Sequence, residues 1–207
     1  MPASVGAMTV LPRVLAWQRT DVTGGEYTTF DERRGLVARG SAFSASPAAY
    51  GCRYELRTDD QWVSSRFEVT AEGAGWLRTL RMERAAGRWR ITTGEQGNLE
   101  TVVPSAPLPG TEEPDRLREA LDVDLLASPL TNTLPIRRLG LLGQPPGTER
   151  TITAAWVLLP SLAVLPIEQT YTVLEGGGIR YTSNNFTADL AVDEGGFVIR
   201  YPGLAAR

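Results

Sequence analysis

Ala49 to Ala71, AYGCRYELRTDDQWVSSRFEVTA, decides the fold. Cys52, Tyr54 and Leu56 point one way, while Arg53, Glu55 and Arg57 point the other. This two-residue period predicts a half-buried antiparallel strand. Asp59-Asp60-Gln61 breaks the run as a turn. A second alternating run follows, with Val63, Ser65, Phe67 and Val69 opposed to Ser64, Arg66, Glu68 and Thr70. Two such strands joined by a short turn form a hairpin.

Downstream, Glu72-Gly73-Ala74-Gly75 reads as a hairpin turn, and WLRTLRMER and GRWRITT complete a meander. Upstream, VLAWQR from Val14 to Arg19, EYTTFDE and GLVARGSAFSA read as three further strands. The turns between them lie at Val22-Thr23-Gly24-Gly25 and Arg33-Arg34-Gly35, and Gly40 marks an expected bulge. Ser46-Pro47 ends the third strand.

Beyond residue 120, RTITAAWVLLP is apolar on both faces. It must be covered twice, or have a core on one side and a greasy cavity on the other. LAVLPIEQTYTVLE contains Pro166, which predicts an edge strand or a bulge. After Gly176-Gly177-Gly178, three more short strands are expected. In these, Phe186, Ala188, Leu190 and Val192 face inward, and Phe197, Ile199 and Tyr201 share a face.

The whole reads as all-β with little helix. About eleven or twelve strands at a spacing of roughly ten residues give a large curled antiparallel sheet closing into a barrel or half-barrel. Residues 1–13 are expected to be a loose leader, with Met8 an alternative start, and 14–207 one β-barrel-like domain. Gly94 to Asp115, with four prolines, three glycines and five acids, is expected to be a mobile surface loop. Arg116 to Leu121 reads as a short helical turn. A barrel of this many strands is expected to enclose a ligand cavity.

Composition removes several chemistries. All 21 basic residues are Arg, and there is no His. Lys Schiff bases, Ser-His-Asp and Cys-His catalysis and most zinc sites are therefore excluded. The one cysteine, Cys52, cannot make an internal disulfide and reads as a buried, inert thiol. Net charge is −3 and no basic stripe is present, which gives nucleic acid no electrostatic footing. No run approaches the ~20 apolar residues of a membrane span, and Pro12 and Arg13 interrupt the N-terminal apolar run. The expected location is the cytoplasm. No metal or cofactor is expected.

The densest chemistry lies in Leu121 to Leu142, LDVDLLASPLTNTLPIRRLGLL. On a strand Asp122 and Asp124 share a face, either as a carboxylate pair for acid–base work or as partners of Arg137 or Arg138. Thr131-Asn132-Thr133 reads as a tight turn or as groups offered to a polar head. Arg137 and Arg138, as strand neighbours, would point oppositely, so one at most reaches the interior. A structural clasp of Asp122, Asp124, Asn132 and one arginine fits these residues. The tryptophans Trp17, Trp62, Trp76, Trp89 and Trp156 serve a core or line a sugar or lipid cavity.

Trp17 with Glu26, Tyr54 with Asp59 and Trp62, the LDVDLLASPLTNTLPIRRLGL run, and Gln169, Tyr171 and FTADLAVDEGGFVIRYPGL together resemble the bacterial family known as the putative glycolipid-binding domain. The likeness runs from Trp17 to Arg207. It implies a large antiparallel barrel similar to periplasmic lipoprotein carriers, and a lipid or glycolipid-like ligand. The ligand-binding candidates are Trp17, Glu26, Tyr54, Trp62, Asn132, Arg137, Arg138, Trp156 and Tyr171. Family members often carry Gly-Cys directly before the LDVDL run, where this chain has Glu119-Ala120.

Three functions follow. The first is a binding protein holding an amphiphile in the barrel without catalysis. The second is a scaffold using the acidic, Pro-rich loop. The third is a hydrolase built on two of Asp122, Asp124, Glu26 and Asp59.

Overall fold

The computed structural model describes residues 11–32 and 35–207. Most of the expected leader and part of the Arg33-Arg34-Gly35 turn lie outside the described residues.

Fourteen strands form one sheet. The first seven are β1 (Val14–Arg19), β2 (Gly24–Glu32), β3 (Leu36–Ser44), β4 (Tyr50–Thr58), β5 (Ser64–Gly73), β6 (Trp76–Ala85) and β7 (Arg88–Gly97). They pair antiparallel in sequence order, because each connection is a short turn that returns the chain beside itself. The second seven are β8 (Asp122–Leu125), β9 (Glu149–Val157), β10 (Val164–Val173), β11 (Ile179–Ser183), β12 (Phe186–Val192), β13 (Val198–Tyr201) and β14 (Ala205–Ala206). β14 pairs with both β1 and β13 and so joins the two halves. The only α-helix among the described residues, α1, is Thr133–Arg138.

β7 and β8 are the two ends of the strand order, and the sheet is not closed by hydrogen bonds between them. β8 instead meets the start of β5. Ser64 N–H of β5 donates to Leu121 O at 2.9 Å, and Val123 N–H of β8 donates to Ser64 Oγ at 3.1 Å. The segment after β7 fills the remaining space. Its Leu99, Ala106, Leu117 and Ala120 are buried in the main core. Gly110 forms an isolated parallel bridge with Ala163.

Arg78, 1% exposed, holds this arrangement. From β6 it donates to Pro107 O at 2.6 Å and to Ser161 O at 3.0 Å, and it ion-pairs with Glu95 at 2.8 Å. Alternation places Arg78 inward with Trp76, Leu80 and Met82. Carbonyls left over by the irregular segment satisfy its guanidinium.

Several local expectations change. β3 carries no bulge at Gly40, because its register runs straight from Thr28↔Gly40 to Gly40↔Tyr54. The glycine instead leaves room for the Tyr54 ring, which a Cβ there would overlap. The register shifts between Arg57 and Thr58 on β4, and it is Ser64 that is buried at the start of β5. β7 runs to Gly97, into the stretch read as loop. Pro166 pairs with Ala155, in the part of β10 that β11 does not reach. This is where a missing N–H costs no ladder bond. Phe186 and Ile199 are exposed, whereas Val198 is buried beside Phe197 and Tyr201. A register shift at Ala191/Val192 accompanies that change of face.

Candidate functional site

Among the described residues β8 is the one strand in a parallel ladder, pairing Asp122↔Ala154, Val123↔Ala155, Asp124↔Trp156 and Leu125↔Val157 with β9. Its two faces meet different surroundings. Val123, Leu125, Ala155 and Val157 enter the main core. Asp122 and Asp124 share the opposite face with Trp156. A second core lies there, containing Ile136, Tyr171, Tyr181, Leu190 and Tyr201.

A cavity of about 560 Å³ opens on that side. Leu125, Leu126, Ile167 and Leu204 make it apolar, while Trp156, Tyr181, Phe186 and Tyr201 supply aromatic surface. Tyr181 sits edge-on to Tyr171 at 5.5 Å and to Tyr201 at 6.2 Å, which stiffens this wall. Asp124, Ser128 and Asn132 also line the cavity. Among the described residues, the ionisable side chains lining it are Asp21, Asp124, Tyr181 and Tyr201, and none is cationic.

Asp124 is half-buried at the cavity wall. Thr131 Oγ1 donates to its Oδ1 at 2.8 Å and Gln169 Nε2 to its Oδ2 at 2.6 Å. Burial pushes its carboxyl up to about 6 despite these two bonds. Tyr171 OH donates to Gln169 Oε1 at 3.1 Å and to Asn132 Oδ1 at 3.3 Å. Buried amides, hydroxyls and one carboxyl thus form a connected polar group beside aromatic walls.

Ser128 leads to a second buried acid. Its Oγ donates to Glu26 Oε1 at 2.7 Å. Tyr54 OH donates to the same oxygen, and Thr28 Oγ1 lies 2.6 Å from that hydroxyl. Glu26 Oε2 has no partner. Burial pushes this carboxyl up to about 7, with the hydrogen bonds opposing it. Glu26 and Ser128 also line a small crevice of about 10 Å³, close to the size of one water. Burial, then Glu26, push the Cys52 thiol up to about 12, leaving it protonated at neutral pH.

The family described as "Putative glycolipid-binding" matches residues 14–207. The chain belongs to this family. It is similar to the crystal structure of a DUF1089 family protein from Pseudomonas aeruginosa. The two share 27% identity with a TM-score of 0.66, covering 88% of this chain and 91% of that one. No curated protein matches the chain.

In this glycolipid-binding family member the candidates separate into three places. Asn132 and Trp156 line the cavity with Asp124, and Tyr171 braces them from behind. Glu26 and Tyr54 belong to the neighbouring polar group, and Trp17 Nε1 donates to Val198 O at 2.7 Å. Arg137, Arg138 and Trp62 line none of the cavities described here. Arg138 pairs with Asp122 at 2.5 Å, their side chains 13% and 2% exposed. Arg137 donates to Gly195 O at 2.8 Å and lies 4.2 Å above the Trp62 ring. The two arginines lie on α1 and not on a strand, so their divergence comes from helical geometry. SPLTNTLP is likewise not a single turn but a 3₁₀ turn, Pro129–Asn132, running into α1. Asp59 accepts from the N–H groups of Gln61 and Val63, each at 2.9 Å, and so shapes its turn.

Sequence reasoning missed Tyr181, Phe186, Tyr201 and Ser128 as lining residues. Aromatics alternating with polar residues in IRYTSNNF carried a strand signal, but nothing in that pattern tells a cavity wall from a core. Among the described residues no helix is long and apolar enough to cross a membrane.

Proposed function

We propose that this protein binds an amphiphile with a neutral, hydroxylated head in the cavity beside β8 and β9, the curled sheet acting as a barrel-like container without catalysis. The observation carrying this reading is the pairing of aromatic walls with Asp124, Ser128 and Asn132 in a space of about 560 Å³. That volume falls within the ~300–1,000 Å³ of small-molecule sites. Hydroxyl groups of a sugar-like head match a lining of carboxyl, amide and hydroxyl. An anionic head would sit beside half-buried Asp124 with no cation to offset it, which low local polarity penalises. The family's glycolipid-binding description agrees with this chemistry.

Protein purified from cells, analysed by native mass spectrometry and then organic extraction, is expected to carry an amphiphile. Phe186, at the mouth and half exposed, gives a variant that spares the fold. Phe186→Asp is expected to lower occupancy about tenfold, roughly 1.4 kcal/mol. In vesicle competition a neutral glycosyl diacylglycerol is expected to bind and phosphatidylglycerol to fail. Protein that is always empty, or that prefers phosphatidylglycerol, overturns the proposal.

A further inference from the structure

A second concave surface lies on the opposite, outer face of the sheet, where the interior cavity does not reach. Strand register aligns five residues there in one row across five strands. They are Gln18 on β1, Gly25 on β2, Phe43 on β3, Gly51 on β4 and Glu72 on β5. Two positions along, on the same face, Tyr27, Ser41 and Arg53 form the next row. The inner face of the same strands carries Trp17, Glu26, Ala42 and Cys52. All of these residues, the four inner-face ones included, line a trough of about 510 Å³. Phe43 and Tyr27 stand 53% and 52% exposed within it.

We propose that this trough is a binding site for a neutral saccharide. The floor is bare backbone. A Cβ at Gly51 would meet nothing within 4 Å, so neither packing nor crowding calls for glycine there. A strand-interior glycine costs conformational entropy and offers no side chain to pack. What it leaves is open space. The Phe43 ring leans the other way, with Cε1 3.7 Å from where a Gly25 Cβ would stand. The open slot therefore lies over Gly51, with Phe43 on one side and Glu72 on the other.

The walls select the ligand. β3 and β5 are two strand spacings apart, about 10 Å, which admits one sugar ring edge-on between Phe43 and Glu72. An aromatic face takes the C–H face of such a ring. Arg53 and Glu72 lie 3.9 Å apart as an exposed ion pair and cancel each other's charge. They offer donors and acceptors to adjacent hydroxyls with no net field for an ion. Ser41 and Gln18 add further polar groups. A protein partner fits poorly. Two aromatics in a polar rim fall well short of the ~800 Å² per partner of a stable interface, and mid-sheet strands present no free backbone edge.

The test uses a printed array of neutral oligosaccharides (maltohexaose, cellohexaose and mannohexaose) with heparin as the anionic comparator, followed by calorimetry on the best binder. Wild type is expected to bind at least one neutral chain and not heparin. Gly51→Leu fills the slot and Phe43→Ala removes the platform. Each is expected to weaken binding about tenfold or more, with the thermal midpoint and bound amphiphile unchanged. No binding to any neutral chain, a preference for heparin, or full binding by both variants overturns the proposal. Loss of saccharide binding in Phe186→Asp with retention in Gly51→Leu would place the sugar in the interior cavity and also overturn it.

Discussion

Folding buries the Glu26 carboxyl and half-buries that of Asp124, and among the described residues neither forms an ion pair. For Glu26 the folded pKa of about 7 lies above the ~4.3 of an unfolded glutamate. The fold therefore favours the protonated form. This contribution is fully present below about pH 4 and is lost as pH rises through about 7, amounting to about 4 kcal/mol at most. Glu26→Gln keeps a neutral acceptor for Tyr54 and Ser128. It is expected to match wild type near pH 4 and to be more stable by up to about 4 kcal/mol at pH 8. Urea titrations at both pH values measure this, and parallel pH profiles for the two proteins would refute it. Glu26 and Tyr54 stood out in the sequence, but their contact did not. It depends on Gly40, whose missing side chain lets the Tyr54 ring cross β3 toward Thr28 and Glu26. A glycine in a strand reads equally as a bulge or as a close approach.

At the scale of elements, alternation located most strands, because each is buried on one face. It failed where an element is short or polar. β8 and β14 are four and two residues long, too short to display a period. α1 has six residues, and Pro135 within it argued for a turn. Its position is fixed by contact: Arg138 carries a charge to Asp122 on β8 that intrinsic helix preference does not supply. Arg138→Met leaves Asp122 buried and unpaired. Burial raises the Asp122 carboxyl and the pair with Arg138 opposes that rise. The variant is expected to lose about 3–5 kcal/mol and to let α1 exchange its amides faster, while the β2–β5 amides stay protected. Hydrogen exchange read by mass spectrometry checks both statements. An unchanged midpoint would show that water already reaches the pair.

At the scale of the molecule, no strand ladder closes the sheet between β7 and β8; Ser64 of β5 meets Leu121 and Val123, and a buried arginine links β6 to the second half. Arg78 spans 83 residues in sequence to reach Ser161. Arg78→Met preserves the inward apolar stem but abandons two carbonyls and Glu95. It is expected to cost about 2–4 kcal/mol and to raise proteolysis within 98–121 well before the β-sheet unfolds. Limited trypsin digestion at Arg116 and Arg118 measures it, and cleavage rates equal to wild type would show that the segment is held by its buried leucines alone.

By itself the sequence determined the all-β class, the positions of most of the longer strands, the exclusion of histidine and lysine chemistry, and the family. Those properties reside in local periodicity and in residue types, which neighbours in the chain are enough to express. Tertiary structure alone decided that Asp124, Asn132 and Trp156 share a cavity while Arg138 turns to Asp122. It alone decided that the two halves of the sheet are bridged by Arg78 and the 98–121 segment. These depend on contacts between residues tens of positions apart. Such contacts form only when the curvature of fourteen strands brings them together, and curvature leaves no period in the sequence to read.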